Sequence, residues 1–338
     1  MRIDAMDTLH TLYPRLIGDV GGTNVRLALI LEDGASISHE QVLPADDFAG
    51  LEEAIRFYCE QHQVKPTAAG IGIATAISGD QVSMTNRDWS FSISEMKSSL
   101  GLAVLVVIND FTALANSLPY LPIETLEQVG GGKLDWKQPV ALLGPGTGLG
   151  VSGLFPYADH QGLLRFQAIR GEGGHVTLPA TNEEEDDVIR VLRARFGHVS
   201  AERILSGSGL LNLHEALATV RKQPIDATTP ADITHIGLSQ PSSLASQTLD
   251  MFCGMLGTVA GNLVLTLGAL GGVFIGGGIV PRLGDRFARS PFRERFEDKG
   301  RLGQYLNPVP AMLIRAHNPA LLGAAAALDD YLIQLHAT

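Results

Sequence analysis

Short apolar runs separated by turn residues open the chain, and they predict β-strands. Leu16-Ile17-Gly18 and Val25–Leu31 are two such runs, with Gly21-Gly22 between them. Ile37–Val42 predicts a third short strand after a further turn. Residues 48–63 then change to an apolar period of about 3.6 residues, which is typical of a helix that buries one face.

Strands and helices alternate in the next part of the chain. Residues 69–76 predict a buried strand that ends in a turn at 77–80, and residues 93–100 predict a helix. The β-branched run 104–108 predicts another strand, and it ends at Asn109-Asp110. Three strands followed by helix, strand, helix and strand indicate a mixed α/β fold.

The second half of the chain repeats the opening arrangement in a weak form. Residues 140–143 and 151–155 predict two strands, with the glycine-rich turn 144–150 between them. A chain of 338 residues exceeds the size at which one core stops growing, so we expect two domains, each with one such loop. From Asn182 onward the pattern is mostly helical; the elements predicted are an apolar helix at 259–267, a strand at 272–275 and a final helix beginning at 323–328.

Composition narrows the class of protein. The chain is 45% hydrophobic and 18% charged and has no 18-residue apolar run, which predicts a soluble globular protein with no membrane partner. Its net charge of −11, without a long Lys/Arg run, argues against a nucleic-acid partner. Cys59 and Cys253 lie far apart and predict two buried free thiols in a reducing compartment. Residues 1–13 lack a signal-peptide pattern, so we expect a cytoplasmic location.

Two glycine-rich loops are candidates for phosphate binding. In Gly18–Arg26 an aspartate precedes two glycines, whose lack of Cβ lets backbone N–H groups approach phosphate oxygens. Asp19 could hold Mg²⁺, directly or through water, although a plain hairpin turn would have the same pattern. The second loop, Gly144–Gly150, precedes a strand, so it is not a dinucleotide fingerprint, and a flexible turn is the alternative. The chain has no G-x-x-x-x-G-K-[ST] motif, which excludes a P-loop.

Asn109 and Asp110 follow a buried strand, at the end of a sheet where α/β proteins bind ligands. Asp110 is a candidate base for a hydroxyl proton, and Asn109 could hold a neighbouring hydroxyl. The same pair would also serve as a helix N-cap before Phe111. The two roles are compatible.

A second polar cluster suits a ligand with many hydroxyl groups. Gly171–Val176 contains Glu172 and His175, and Glu202 follows in the next predicted loop; each side chain can bond one or two hydroxyls. Glu202 could instead lie in the first turn of a helix capped by Ser200, and His175 could be a core histidine. No second histidine or cysteine lies at metal-ligand spacing. The acidic run 182–187 predicts a solvated helix start with a capping box formed by its Asn and third Glu.

Together these motifs resemble the bacterial glucokinases of the non-ROK type, within the hexokinase, actin and heat-shock-chaperone ATPase superfamily. The resemblance covers residues 15–330 and depends on motifs in the same order: GDVGGTN (18–24), MTN followed by W and F (84–91), INDF (108–111), GPGTGLG (144–150), GEGGHV (171–176), HVSAERILSG (198–207) and GGVFIGGGIVPR (271–282). The ROK branch is disfavoured, because two distant cysteines cannot form its cysteine-rich zinc motif.

The resemblance implies a two-lobed, actin-like (ribonuclease H-like) α/β fold, with a mixed sheet flanked by helices in each lobe and a cleft between the lobes. The small domain would comprise 1–118, completed by a C-terminal helix at 318–338, and the large domain 119–317. A homodimer is also implied.

The implied activity is ATP-dependent phosphorylation of D-glucose to glucose 6-phosphate in a cleft that closes on its substrates. Asp110 would be the general base that takes the sugar 6-hydroxyl proton. The remaining hydroxyls would be held by Asn109, Glu172, His175 and Glu202. ATP would be bound by Gly18, Asp19, Val20, Gly21, Gly22, Thr23, Gly146, Thr147 and Gly148 at its phosphates and by Gly276, Gly277 and Gly278 at its adenosine, and Asp19 would also hold Mg²⁺.

One departure from the family pattern concerns the loop 74–80. Ala76 stands where the family usually has proline, which bears on loop stiffness and hexose selectivity. Three other activities share parts of the pattern: phosphorylation of fructose, mannose or an amino sugar; sugar sensing without catalysis; and filament or chaperone ATP hydrolysis. An intact Asp110 and the hydroxyl-binding cluster favour the sugar kinase.

Overall fold

The computed structural model describes residues 12–84 and 87–337. They fall into two compact units, Met1–Leu121 with His317–Thr338 and Pro122–Ala316. Thr85 and Asn86 of the MTN motif lie outside the described residues, as do residues 1–11, on which the expected absence of a signal peptide depends.

The first unit contains a mixed five-stranded sheet. Its strands are β1 (Arg15–Val20), β2 (Asn24–Ile30), β3 (Ser38–Pro44), β4 (Ala68–Ile73) and β7 (Val104–Asn109), in the order β3-β2-β1-β4-β7. The first three strands pair antiparallel, whereas β1, β4 and β7 are parallel. The predicted sequence of elements, three strands followed by helix, strand, helix and strand, is confirmed. A small hairpin that the pattern did not predict, β5 (Gln81–Ser83) with β6 (Ser90–Ser92), follows β4.

Among the described residues, four helices flank this sheet: α1 (Leu51–Gln61), α2 (Ile93–Ser99), α3 (Asp110–Ser117) and the C-terminal α11 (Pro319–Ala337). The last helix packs closely because its small residues meet glycine. A Cβ on Gly70 of β4 would lie 2.5 Å from the carbonyl oxygen of Ala324, and one on Gly323 would lie 1.6 Å from that of Ala113. The small residues predicted to suit close packing are therefore used for it.

The second unit contains a six-stranded sheet in the order β11-β10-β9-β12-β13-β8. Its strands are β8 (Leu126–Gln128), β9 (Val140–Pro145), β10 (Leu149–Ala158), β11 (Leu164–Ala168), β12 (Gly272–Ile275) and β13 (Ala311–Ile314). Its helices are α4 (Glu183–Phe196), α5 (Gly207–Arg221), α6 (Pro230–Ser239), α7 (Leu244–Leu267), α8 (Asp285–Ala288), α9 (Phe292–Glu297) and α10 (Gly303–Leu306). The pair β9–β10 is antiparallel around the second glycine loop, as predicted.

Helix α7 is much longer than the predicted 259–267, and that prediction of its start was wrong. Its N-terminal part contains hydroxyl side chains, which bond back to helix carbonyls, as Thr248 does to Leu244. Its glycines interrupt the apolar period but allow close packing, since a Cβ on Gly257 would lie 2.1 Å from the carbonyl oxygen of Phe292. Among the described residues this is the single helix long and apolar enough to cross a membrane, and 72% of its most apolar window is buried inside the protein.

Two further expectations need correction. Cys253 is fully buried as predicted, but Cys59 is only half-buried. The acidic run at the start of α4 is capped by Asn182, yet Glu185 is 1% exposed rather than solvated. Its carboxylate accepts hydrogen bonds from Arg295 at 2.7 Å and from the N–H of Thr181 at 2.9 Å, so the predicted reciprocal bond to the cap residue does not form.

Candidate active site

The β1–β2 turn brings the first predicted phosphate loop into a tight conformation. The N–H of Gly21 donates to the carbonyl oxygen of Asn24 at 2.9 Å and closes the turn. The next two N–H groups, those of Gly22 and Thr23, have no protein partner within the described part of the chain. The two alternatives given for this segment, a plain hairpin turn and a phosphate-binding loop, are therefore compatible: the turn closes a hairpin and is also a candidate anion site.

Asp19 lies on β1 beside this turn and pairs across the hairpin with Arg26. The guanidinium donates to its Oδ2 at 2.9 Å. Burial raises the pKa of Asp19, and the charge of Arg26 opposes that rise. Sequence reasoning did not identify Arg26, although the register of a hairpin closed by Gly21-Gly22 places it opposite Asp19.

Asn109 and Asp110 occupy the junction between β7 and α3. The side-chain oxygen of Asn109 accepts from the N–H groups of Phe111 at 2.9 Å and Thr112 at 3.2 Å, so Asn109 is the N-cap. Its amide nitrogen donates to Oδ1 of Asp110 at 2.9 Å. The same Oδ1 also accepts from the N–H of Phe111. The second carboxylate oxygen, Oδ2, accepts no hydrogen bond from any other residue in the described part of the chain. The cap thus orients the carboxylate of Asp110 and leaves one oxygen for a ligand.

The pKa of Asp110 is raised to about 6, and burial is the main cause. The N–H of Phe111 opposes this shift by stabilising the ionised form, while the negative charge of Asp19 adds to it. A carboxylate with a pKa near the operating pH is well suited to general-base catalysis.

Thr75 is a further residue beside Asn109 that the sequence did not single out. Its carbonyl oxygen accepts from the amide nitrogen of Asn109 at 3.2 Å. Its hydroxyl donates to the carbonyl oxygen of Ser83 at 2.9 Å, which ties the exposed segment around Ala76 to the β5–β6 hairpin. Thr75 therefore helps to hold the side chain of Asn109, although it lies outside the INDF motif (108–111) that contains Asn109.

The second unit holds the other predicted phosphate loop, between β9 and β10. The N–H of Gly146 donates to the carbonyl oxygen of Gly148 at 2.8 Å, and its own carbonyl accepts from the N–H of Gly207 at the start of α5. Within the described residues the N–H groups of Thr147 and Gly148 have no protein partner. The two loops are thus alike in detail: one glycine N–H closes the turn and the next two remain available.

The predicted hydroxyl-binding cluster lies where two loops pair through their backbones. The N–H of Ala201 donates to the carbonyl oxygen of Val176 at 2.9 Å, which aligns segment 171–176 with segment 198–203. Glu172 and His175 are exposed, so the alternative that His175 is a core residue is wrong.

Glu202 joins this cluster to the phosphate loop. Its Oε2 accepts from the N–H of Leu149 at 2.8 Å, and a Cβ on Gly148 would lie 2.5 Å from that same oxygen. Glu202 lies on the short 3₁₀ turn Ala201–Arg203, and the side chain of Ser200 makes no capping bond there. The alternative is therefore right in position and wrong in detail: Glu202 lies in the first turn of a short helix that begins after Ser200, but Ser200 supplies no side-chain cap.

Gly276–Gly278 pack under the same phosphate loop. The N–H of Gly276 donates to the carbonyl oxygen of Leu143 at 2.9 Å. Gly277 has a φ of +78°, and a Cβ there would lie 2.3 Å from the carbonyl oxygen of Pro145. Only glycine fits this contact without strain.

The described residues contain no group of three or more His, Cys, Asp or Glu side chains arranged to hold a metal ion. Asp19 fits a different kind of metal binding. Mg²⁺ in nucleotide sites is commonly held by one or two carboxylates together with phosphates and water. Asp19 would supply the carboxylate of such a site, and phosphates bound at the neighbouring N–H groups would supply further oxygen ligands.

Nearly the whole chain is similar to a known protein family and to proteins of known sequence. The glucokinase family model matches residues 16–331. The glucokinase of Aromatoleum aromaticum is 52% identical over 322 residues, covering 95% of this chain and 96% of the relative. The glucokinase of Ralstonia nicotianae is 50% identical, with coverages of 96% and 98%.

Solved structures agree with this assignment. A glucokinase from an Antarctic psychrotroph has a TM-score of 0.84 at 38% identity, covering 94% of this chain and 99% of its own. A ROK hexokinase from Thermus thermophilus has a TM-score of 0.65 at 17% identity, with coverages of 95% and 100%, and it shows the shared fold alone. The predicted fold class and enzyme class are confirmed. This chain belongs to the glucokinase family.

Proposed function

We propose that this enzyme transfers the γ-phosphoryl group of ATP to the 6-hydroxyl of D-glucose and releases glucose 6-phosphate. The observation that carries the proposal is the environment of Asp110, a part-buried carboxylate with a pKa of about 6 that is oriented by the Asn109 cap. The names of the relatives, which are glucokinases at about half identity over nearly the whole chain, support glucose as the acceptor.

Asp110 would accept the proton of the 6-hydroxyl as that oxygen attacks the γ-phosphorus. Phosphoryl transfer has a loose transition state, so positioning and charge stabilisation supply most of the catalysis. The 6-hydroxyl proton would therefore move to Asp110 late, as the new O–P bond forms and the bond between the γ-phosphorus and ADP breaks.

The other sugar hydroxyls would be held by Asn109, Glu172, His175 and Glu202. Two of these, Glu172 and His175, are exposed and available. Asn109 already makes four hydrogen bonds, and a sugar hydroxyl would replace the bond to Thr75, which at 3.2 Å is among the longer ones. Carboxylates in such a site reject analogues that lack the matching hydroxyl, because a buried acceptor would lose its partner.

The phosphates of ATP would contact the available N–H groups of Gly22, Thr23, Thr147 and Gly148. Gly18, Val20, Gly21 and Gly146 shape these turns, and Gly276, Gly277 and Gly278 would adjoin the adenosine. Asp19 would hold Mg²⁺, directly or through water, when the nucleotide binds. The ion neutralises phosphate charge.

The test is a coupled assay with ATP, Mg²⁺ and a panel of glucose, mannose, fructose and glucosamine. We expect the highest kcat/KM with glucose and a product phosphorylated at the 6-position. Preference for another hexose would identify a different sugar kinase, and sugar-independent ATP hydrolysis would favour a filament or chaperone ATPase. No turnover with any sugar would favour a sugar sensor. A cytoplasmic location, expected from the lack of a signal-peptide pattern, and a homodimer, implied by the family resemblance, both stay predictions.

A further inference from the structure

Arg87 has been given no role so far, yet its charged side chain is largely buried, with only 15% of its surface exposed. Its Nη1 donates to the carbonyl oxygen of Gly22 at 2.9 Å, and its Nη2 donates to that of Ala45 at 3.0 Å. The same Nη2 pairs with Asp46 at 2.9 Å, and the guanidinium lies 4.7 Å from the ring centre of Trp89. An arginine fork thus holds two backbone carbonyls at and beside the first phosphate loop.

The carbonyl of Gly22 has a direct connection to the candidate anion site. It shares a peptide plane with the N–H of Thr23, and in a trans peptide the C=O and N–H groups point in opposite directions. A guanidinium that holds the carbonyl on one side therefore fixes the N–H toward the other side. That N–H is one of the two available donors of the loop.

The second carbonyl secures the following peptide. The N–H of Ala45 donates to the carbonyl oxygen of Thr23 at 2.9 Å, and Arg87 holds Ala45 in turn. Arg87 thus fixes the Gly22–Thr23 peptide directly, and it supports the Thr23–Asn24 peptide only indirectly, by holding Ala45. Without it, the turn retains the backbone bonds from Gly21 to Asn24 and from Ala45 to Thr23 and the side-chain bond from Asn24 to Thr23. None of these bonds is to the carbonyl of Gly22, whose backbone is otherwise permissive.

We propose that Arg87 is a positioning residue that holds the Gly22–Thr23 peptide in the orientation that binds the phosphates of ATP. The inference rests on the proposed function, since it takes ATP as the ligand of this loop. Arg87 itself contacts no substrate. Its effect should appear in nucleotide binding and in kcat, and it should leave the binding of sugar unchanged.

The test compares Arg87→Gln with Arg56→Gln, a matched control on α1. Arg56 also donates to a carboxylate and to a backbone carbonyl, those of Glu52 and Ser99, but it has no contact with the loop. In Arg87→Gln we expect KM for ATP to rise about tenfold, equivalent to about 1.4 kcal/mol, and KM for glucose to stay within about twofold. In the control we expect both constants within about twofold of wild type.

Arg87→Lys serves as the second variant in case the glutamine variant does not fold. Lysine keeps the charge but cannot bridge two carbonyls as a planar fork does, so we expect a KM for ATP between those of wild type and Arg87→Gln. Calorimetric titration with MgATP measures the same effect without turnover. It therefore tests Arg87 even if the enzyme fails to phosphorylate glucose, an outcome that would refute the proposed function alone. A folded Arg87 variant with wild-type affinity for ATP, or with an equal rise in both KM values, would overturn the proposal.

Discussion

Lowering the pH through 6 should remove the activity of this enzyme by protonating Asp110. The ionised carboxylate is the form that accepts a proton, and burial raises its pKa to about 6. The base is therefore ionised and active above that pH and is lost below it. At pH 5 about one molecule in eleven would retain the ionised base, so kcat/KM should fall about tenfold from its plateau.

The assay is the pH profile of kcat/KM for glucose at saturating MgATP, since this constant reports the pKa of the essential base in the enzyme before glucose binds. Samples held at each pH and returned to pH 7.5 separate reversible titration from denaturation. Phosphate groups also titrate near pH 6, so the profile alone does not identify the base.

Two variants assign the titration to Asp110. The residual activity of Asp110→Asn should lack the acid limb, because asparagine keeps the hydrogen-bonding carbonyl but does not titrate. In Asp19→Asn the limb should move to lower pH, because the charge of Asp19 contributes to the raised pKa. An acid limb that persists unchanged in Asp110→Asn would refute the assignment of the base.

The remaining predictions concern the base, the sugar cluster and the phosphate loop. Asp110→Ala should lower kcat by about 10²–10⁴ while calorimetric MgATP affinity stays near wild type; turnover close to wild type would contradict its role. Glu172→Gln and His175→Ala should raise KM for glucose with little change in KM for ATP, and unchanged sugar kinetics would count against this cluster. Gly148→Ala should raise both KM values, because the new Cβ would lie 2.5 Å from Oε2 of Glu202 and displace it; an effect on ATP alone would show that Glu202 does not bind sugar.

Much of the candidate site is visible in local sequence because its parts are short and contiguous. The Asp-x-Gly-Gly turn and the Asn-Asp pair each follow a buried strand, and the structure places them as the patterns predict. Arg26 was missed although hairpin register places it opposite Asp19. The length of α7 was missed because glycine and hydroxyl residues within it obscure its apolar period.

Contacts between distant segments account for what the sequence left undecided. The local sequence predicts that Glu185 is solvated in the first turn of a helix. Its burial is explained by its pairing with Arg295, which lies 110 residues away in sequence. The bond from Leu149 to Glu202 likewise joins a phosphate loop to the sugar cluster across 53 residues.

The kinds of element, the two glycine loops and the chemistry available at each strand end can be predicted from the sequence, since these depend on residues that are neighbours along the chain. Which groups support the candidate site depends instead on tertiary packing. Arg87 reaches Gly22 across 65 residues, from a motif (84–91) that contributes to the family resemblance but to which the sequence assigned no chemical role. Such a contact depends on how the strands and turns pack, and packing brings together residues whose separation in sequence carries no periodic signal.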